Sequence, residues 1–382
     1  MISNHRKAIL ITYPQEDAIK EAISLVCTAG YNIEKIVSQR HITRSKYGIG
    51  AGKAEQVKEL VRQLKPEVII FDEVMKPTQQ YNLATLCQVE IIDRERLILE
   101  IFERRASTAE SRIQIKLAQL QYDMVRAREK VRLAKKGEQP GFFGMGKYDA
   151  DVYFLDINKR AVFLKKKLEK EEKRRSLHRE QRTRAGLPTI SIAGYTSAGK
   201  TTLFNILTGE TKITGQGLFT TLTTYTRALT LNHRKILVSD TVGFINKLPA
   251  YMIDAFKSTL HELAHSALIL LVLDISEPID DVARKLYSSI NLMNELKVPM
   301  TKVIYLLNKA DLISNDNAID KSMYLGILDS KKYVLPVSAK TGLNIDQLKN
   351  LLLLLVFHDN WNGKKTVGEQ MSLVNSNESI SS

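Results

Sequence analysis

The chain has 382 residues, 44% of them hydrophobic, and a formal net charge of +14. That length exceeds one ordinary domain and the composition supports a sizeable core, so two or three globular domains are expected. Two cysteines, Cys27 and Cys87, exclude a disulfide framework, sit near no metal-site or catalytic-thiol pattern, and fit a reducing, cytoplasmic setting.

In chain order, residues 7–12 and 67–71 read as buried strands, and 16–29, 54–64 and 78–86 as helices between them. This alternation predicts a small α/β domain over 1–104 with a largely parallel sheet. The N-terminus lacks the long apolar stretch of a signal peptide. From 105 to 187 the pattern becomes that of a long helical hairpin. Residues 111–134 place Ile113, Leu117, Leu120 and Met124 on one helical face. A glycine-rich break at 137–146, containing Phe142 and Phe143, precedes a second, highly charged helix over 151–184. Its basic residues crowd together: Lys165, Lys166, Lys167, Lys173, Arg174, Arg175, Arg179, Arg182 and Arg184. With the net charge, they favour an anionic partner, nucleic acid ahead of a membrane surface; a merely solvated helix face with i,i+4 pairs such as Glu169 with Lys173 is the other reading.

Gly186 and Pro188 mark a boundary, after which 188–358 returns to strand–helix alternation. Residues 189–193, 235–239, 268–274, 303–308 and 333–337 are near-continuous apolar runs, as in strands covered on both faces. The most apolar stretch, 351–357, is far short of the ~18 residues of a membrane span and reads as a buried helix closing that domain. The polar tail, 359–382, is expected to be disordered. There is no internal repeat.

Chemistry concentrates in the last domain. Gly194, Tyr195, Thr196, Ser197, Ala198, Gly199, Lys200 and Thr201 match GxxxxGK[ST] between a strand and a helix over 201–207 that begins Thr201, Thr202. Such a loop turns backbone N–H groups around phosphates at a helix N-terminus. Lys200 is expected to neutralise the β and γ phosphates, and the Thr201 hydroxyl to ligate Mg²⁺. The P-loop leaves ATP and GTP open. Asn308, Lys309, Ala310 and Asp311 decide for GTP/GDP, because the Asp311 carboxylate can accept the paired N1–H and N2–H donors of guanine, a pair that adenine lacks. Asn308 would brace the loop and contact the base, and the Lys309 stem would cover its face. Ser338, Ala339 and Lys340 follow the next strand, with the Ala339 N–H expected at guanine O6.

Asp240, Thr241, Val242 and Gly243 end another strand. Asp240 would hold Mg²⁺ through water, and the Gly243 amide would face the γ-phosphate, whose loss releases the following loop. In Phe219, Thr220, Thr221, Leu222 and Thr223 a switch threonine is expected to reach both Mg²⁺ and γ-phosphate; Thr221 is preferred, with Thr220 its close competitor. The catalytic set is thus Lys200, Thr221 and Gly243. Phe244 stands where many GTPases carry a water-orienting glutamine, which predicts slow intrinsic hydrolysis that a partner accelerates.

The P-loop with its Thr201, Thr202, Leu203, Phe204, Asn205 continuation, and Asp240 through Phe244 and Ile245, resemble the HflX family of translational GTPases. Outside that domain, the glycine-rich Tyr47, Gly48, Ile49, Gly50, Ala51, Gly52, Lys53 segment also follows the family pattern. So do the run from Asp93 and Arg94 to Phe102, the pair Arg105 and Ala106, and the run from Gln114 to Tyr122. The resemblance spans roughly residues 8–358. It implies a P-loop GTPase domain with a mixed, mostly parallel sheet, preceded by the small α/β domain and hairpin. It further implies binding to the large ribosomal subunit, with the basic hairpin on rRNA backbone and a role in splitting or rescuing stalled ribosomes. A monomer is expected. The Gly141–Gly146 stretch lacks the family's Pro-Gly-Glu core, and the short tail is expected of a compact, archaeal-type member. A GTP-dependent regulator or scaffold of a non-ribosomal complex is the alternative; an ATP-dependent enzyme is opposed by Asp311. The segment from Tyr47 to Lys53 could form a second phosphate site, but a tight turn into the following helix accounts for it at least as well, and it is not counted as a nucleotide site.

Overall fold

A strand that is apolar on both faces must be covered by helices on both faces, and this chain meets that requirement twice. The structure, a computed structural model, describes residues 6–42, 46–106, 108–135, 147–210, 225–241, 243–244, 252, 262–314, 321, 324–326 and 333–357. In the main, the chain divides into two compact units, one running to Lys173 and one beginning at Arg174.

The first unit alternates β1 (Arg6–Thr12), α1 (Glu16–Thr28), β2 (Tyr31–Ser38), α2 (Ala51–Leu64), β3 (Val68–Phe71), α3 (Pro77–Cys87), β4 (Glu90–Asp93) and α4 (Arg94–Arg105). Among the described residues these strands form a parallel sheet in the order β2-β1-β3-β4. The central strands β1 and β3 are the apolar runs expected, and Ala8 to Ile11 and Val68 to Phe71 are fully buried. The sheet gains two strands that the apolar pattern does not announce. β2 is an edge strand whose residues are mostly half-exposed or exposed, and β4 is only Glu90–Asp93 before the chain turns straight into α4. The Tyr47–Gly50 turn caps α2, which starts at Ala51 and takes Gly52 and Lys53 into its first turn.

α4 is a core helix, with Leu97, Ile98, Leu99, Ile101 and Phe102 buried. α5 (Ala109–Lys135) and α6 (Lys147–Arg184) are the two long helices of the hairpin. Leu117, Leu120 and Met124 of α5 pack against Ile157, Ala161, Leu164 and Leu168 of α6; Ile113, the fourth residue of the predicted face, is not part of that cluster. The loop between them, 137–146, lies outside the described residues. The other side of α5 is tied to the sheet by one carboxylate. Asp93, fully buried, caps α4 through the Arg96 N–H at 3.0 Å and accepts the Tyr122 hydroxyl at 2.9 Å. It also pairs with Arg126, whose guanidinium lies over the Tyr122 ring. Nearby, Arg94 is buried between Asp72 and Glu21, and Asp72 accepts Thr12 Oγ1 at 2.7 Å.

In the second unit β5 (Thr189–Gly194), α7 (Lys200–Thr208), β6 (Tyr225–Leu231), β7 (Arg234–Asp240), β8 (Leu268–Asp274), α8 (Ile279–Glu295), β9 (Val303–Asn308), β10 (Tyr333–Pro336) and α9 (Ile345–Phe357) follow in order. Among the described residues the sheet order is β10-β9-β8-β5-β7-β6, parallel except for the antiparallel β6–β7 hairpin. β6 is another half-exposed edge strand without an apolar signature. The apolar run 351–357 is the outer part of α9, and its Leu348, Leu352 and Leu355 close one side of the core with Leu203, Phe204 and Ile304. No helix among the described residues is long and apolar enough to cross a membrane.

Asp93→Ala would strand Arg126, Tyr122 and the α4 N-terminus at once. Removing one member of a buried ionic cluster costs about 3 kcal/mol or more, so urea unfolding should show a loss of that order. A change under about 1 kcal/mol would mean that α5 is held by apolar packing alone.

Candidate functional site

The carboxyl ends of β5, β7, β8 and β9 lie side by side, and the loops leaving them carry the motif residues. Gly194 ends β5, and 195–199 form the loop into α7, which starts at Lys200. Ser197 takes a left-handed φ of 64° and is exposed, whereas Tyr195 and Ala198 are buried. Gly199, at φ 94°, sits so close to the next loop that a Cβ would meet Asn308 Nδ2 at 2.2 Å.

Lys200 is buried, and its Nζ donates to the Tyr195 carbonyl. Burial pushes the ammonium down to about 8, while Asp240 works in the opposite direction. Thr201 Oγ1 donates to Asp240 Oδ2 at 3.2 Å, and both side chains are buried. Thr202 is half-buried on the first turn. Asp240 is the last residue of β7, and Thr241 Oγ1 donates to the Ile192 carbonyl at 2.6 Å. Gly243 lies over the loop, where a Cβ would meet Thr196 Cγ2 at 2.8 Å and Lys200 Nζ at 2.9 Å. Val242 and residues 219–223, including Phe219, Thr220, Thr221, Leu222 and Thr223, lie outside the described residues. The ends flanking 211–224 are described. Tyr225 pairs with Asp240 across β6–β7, and Arg227 Nε donates to Glu210 Oε1 at 2.6 Å.

Phe244 shows what its position does in place of a glutamine. Its side chain is buried, and its backbone forms a parallel bridge with Tyr195. The Thr196 N–H donates to the Phe244 carbonyl at 2.9 Å, and the Phe244 N–H to the Gly194 carbonyl at 3.0 Å. This link between the DxxG loop and the phosphate loop is made by backbone alone, so no side-chain motif could have announced it.

Asn308, the last residue of β9, is 2% exposed. Its Nδ2 donates to the Ala198 carbonyl at 2.7 Å, and its Oδ1 accepts the Ala339 N–H at 2.9 Å. Asn308 thus links the phosphate loop to the 338–340 loop. The Ala339 N–H, expected at guanine O6, here donates to Asn308 Oδ1, which the Ala198 contact leaves facing the 338–340 loop. Lys309 adopts a left-handed φ of 63°, and its ammonium pairs with Asp274. Ala310 donates its N–H to Val337 O at 3.1 Å, which ties this loop to the end of β10. Asp311 and Lys340 are exposed, and Ser338 is buried, its Oγ accepting the Thr341 N–H at 3.1 Å. Asp274 belongs to no recognised motif. Its signal in the sequence is slight: an acid closing the otherwise apolar strand 268–274.

Three family descriptions match in succession. "GTP-binding GTPase N-terminal" covers residues 16–103, "GTP-binding GTPase Middle Region" covers 105–182, and "50S ribosome-binding GTPase" covers 189–309. The protein called GTPase HflX from Methanocaldococcus jannaschii is 43% identical over 328 residues, which is 85% of this chain and 79% of that protein. The one from Escherichia coli is 33% identical over 334 residues, 86% of this chain and 77% of that protein. Among solved structures, a GTP-binding protein from Sulfolobus solfataricus in complex with GDP aligns with a TM-score of 0.52 at 28% identity, over 92% of this chain and 98% of that one.

A buried ammonium with a depressed pKa is a stability cost in the nucleotide-free protein. Lys200→Met should therefore raise the stability of the nucleotide-free protein at neutral pH by about 1–3 kcal/mol while abolishing tight GDP binding. Thermal melts with and without GDP read both effects; an unchanged or lower melting point without nucleotide would contradict the assignment.

Proposed function

Because the chain belongs to the HflX family of GTPases, and so binds and hydrolyses GTP, we propose that its nucleotide state governs docking on the large ribosomal subunit. The observation that carries the nucleotide reading is Asn308, which holds the phosphate loop and the 338–340 loop in one register. The exposed Asp311 carboxylate beside it is free to take the guanine N1–H and N2–H pair. The backbone of 194–199 and the α7 N-terminus would cradle the phosphates, with Lys200 set against the β and γ groups.

The donors beside them fit Mg²⁺. The Thr201 hydroxyl and Asp240 carboxylate are oxygen groups, and Gly243 leaves space where any side chain would intrude. Thr201 would bind the ion directly and Asp240 through water, with Thr221 completing the set. Mg²⁺ would neutralise charge developing on the phosphates. Among the described residues no three His, Cys, Asp or Glu gather as a metal cage, and a nucleotide-borne Mg²⁺ needs none. Lys200 stabilises the transferring phosphoryl group, and the Gly243 amide senses the γ-phosphate. Phe244, with its side chain buried and its backbone committed to the phosphate loop, offers no polar group to orient water, which supports a slow intrinsic rate raised by the partner.

The ribosomal part of the proposal rests on the family description matched by 189–309 and on α6, where Lys165, Lys166, Lys167, Lys173 and Arg174 are exposed. Such a row suits rRNA phosphates, with subunit splitting or rescue of stalled ribosomes as the outcome. A scaffold of a non-ribosomal complex is the competing reading.

Asp311→Asn exchanges an acceptor for a donor and should weaken GDP binding at least about 100-fold while admitting xanthosine diphosphate, since a site left with unpaired polar groups discriminates at that scale. Equal loss of both nucleotides would argue against base contact. In sedimentation, the protein should co-migrate with large subunits in a non-hydrolysable GTP analogue and less so in GDP. Charge reversal at Lys165, Lys166 and Lys167 should weaken that association and flatten its salt dependence, and subunits should raise GTP turnover. Nucleotide- and salt-indifferent sedimentation, or fast hydrolysis by the isolated protein, would overturn the respective part.

A further inference from the structure

We infer that Asp274 is a positioning residue for guanine-nucleotide retention, acting by fixing Lys309 in the base loop. The inference rests on the reading of Asn308, Lys309 and Asp311 as base-binding residues. β8 and β9 run parallel with Asp274 directly beside Asn308, so the two strands end together and their following residues leave the sheet as neighbours. The Ile275 N–H then donates to the Asn308 carbonyl at 3.1 Å, which joins the turn after β8 to the base loop.

Asp274 is 8% exposed, and its two oxygens have separate tasks. Oδ1 accepts the Ser276 hydroxyl at 2.6 Å and the Ser276 N–H at 3.2 Å, an Asx-type turn that fixes the carboxylate's orientation. Oδ2 receives the Lys309 ammonium. Lys309 is itself held in a left-handed backbone conformation, so both ends of its side chain are defined. A lysine otherwise loses much rotamer freedom when it lies flat against a base. Tethering its ammonium beforehand removes part of that cost and leaves the aliphatic stem as a preformed shelf.

The turn that carries Asp274 is anchored too. Lys321 Nζ donates to the Ile275 and Glu277 carbonyls, each at 2.9 Å. Glu277 pairs with Lys285, whose ammonium stands 5.9 Å from the centre of the Tyr195 ring in the phosphate loop. Residues 274–277 thus connect the base loop with the phosphate loop through side chains that belong to neither motif.

The experiment is the dissociation rate of a ribose-labelled fluorescent GDP from the full chain in Mg²⁺ buffer, for Asp274→Ala, Asp274→Asn, Lys309→Ala and each Asp274 variant combined with Lys309→Ala. Asp274→Asn keeps an acceptor for the Ser276 turn and removes only the charge that holds Lys309. Both Asp274 variants should release nucleotide about fivefold faster, the range expected for coupled neighbours, and neither should add to the effect of Lys309→Ala. Melting points of the nucleotide-free variants should stay close to the parent for Asp274→Asn. If the Asp274 variants speed release by the same factor in the Lys309→Ala background, the carboxylate acts through the turn and the inference fails, while the base-loop reading stands. If Lys309→Ala itself leaves release unchanged, the role of Lys309 in base binding fails and takes the inference with it.

Discussion

One carboxamide holds the nucleotide end of the second unit together. Asn308 lies at the end of β9, reaches across the sheet to the Ala198 carbonyl, and receives the Ala339 amide on its other atom. The phosphate loop, the 308–311 loop and the 338–340 loop leave the sheet at separate strands. Their common register depends on a side chain with one donor end and one acceptor end, 2% exposed and screened from water. An aspartate could not donate to Ala198, and an apolar residue would leave a carbonyl and an amide unpaired in the interior. Gly199 answers the same constraint from the other side, since any Cβ there would occupy the place of the Asn308 amide.

Around that brace the site is assembled under tension between stability and use. Lys200 is an ammonium kept dry, its pKa pulled down by burial, while the Tyr195 carbonyl and the neighbouring Asp240 favour its charge. The same burial makes it effective against phosphate, because charges interact more strongly where water is excluded. Backbone, rather than side chains, ties the DxxG loop to the phosphate loop through Phe244. The residue that in many GTPases orients water is here committed to holding two loops in contact.

The central strands were legible because full burial demands continuous apolar sequence: β3, β8 and β9 are apolar throughout apart from the closing Asp274 and Asn308. β2 and β6 were not, because an edge strand half in water has no such demand, and β4 is too short to carry a period. α4 hides for a different reason, being buried nearly all round and following a strand without a turn. The phosphate and base motifs were readable since their chemistry fixes residue type at fixed spacing. The contacts that hold them in place were not. Ala339 gives its amide to Asn308, and Asp274 meets Lys309 only because β8 and β9 are aligned, a tertiary fact with no local signature. Asp93, likewise, collects partners from α4 and α5 that nothing in its neighbours foretells.

The β6–β7 hairpin also reaches the helix that carries Thr201. Residue 225 is zipped opposite Asp240 at the very start of the ladder, and Glu210 at the end of the preceding segment is stapled to Arg227 two residues further on. The ion pair acts as a clasp: it joins the exit of α7, the helix that carries Thr201, to the ladder that presents Asp240, so the two oxygen groups are held together from beyond the site itself.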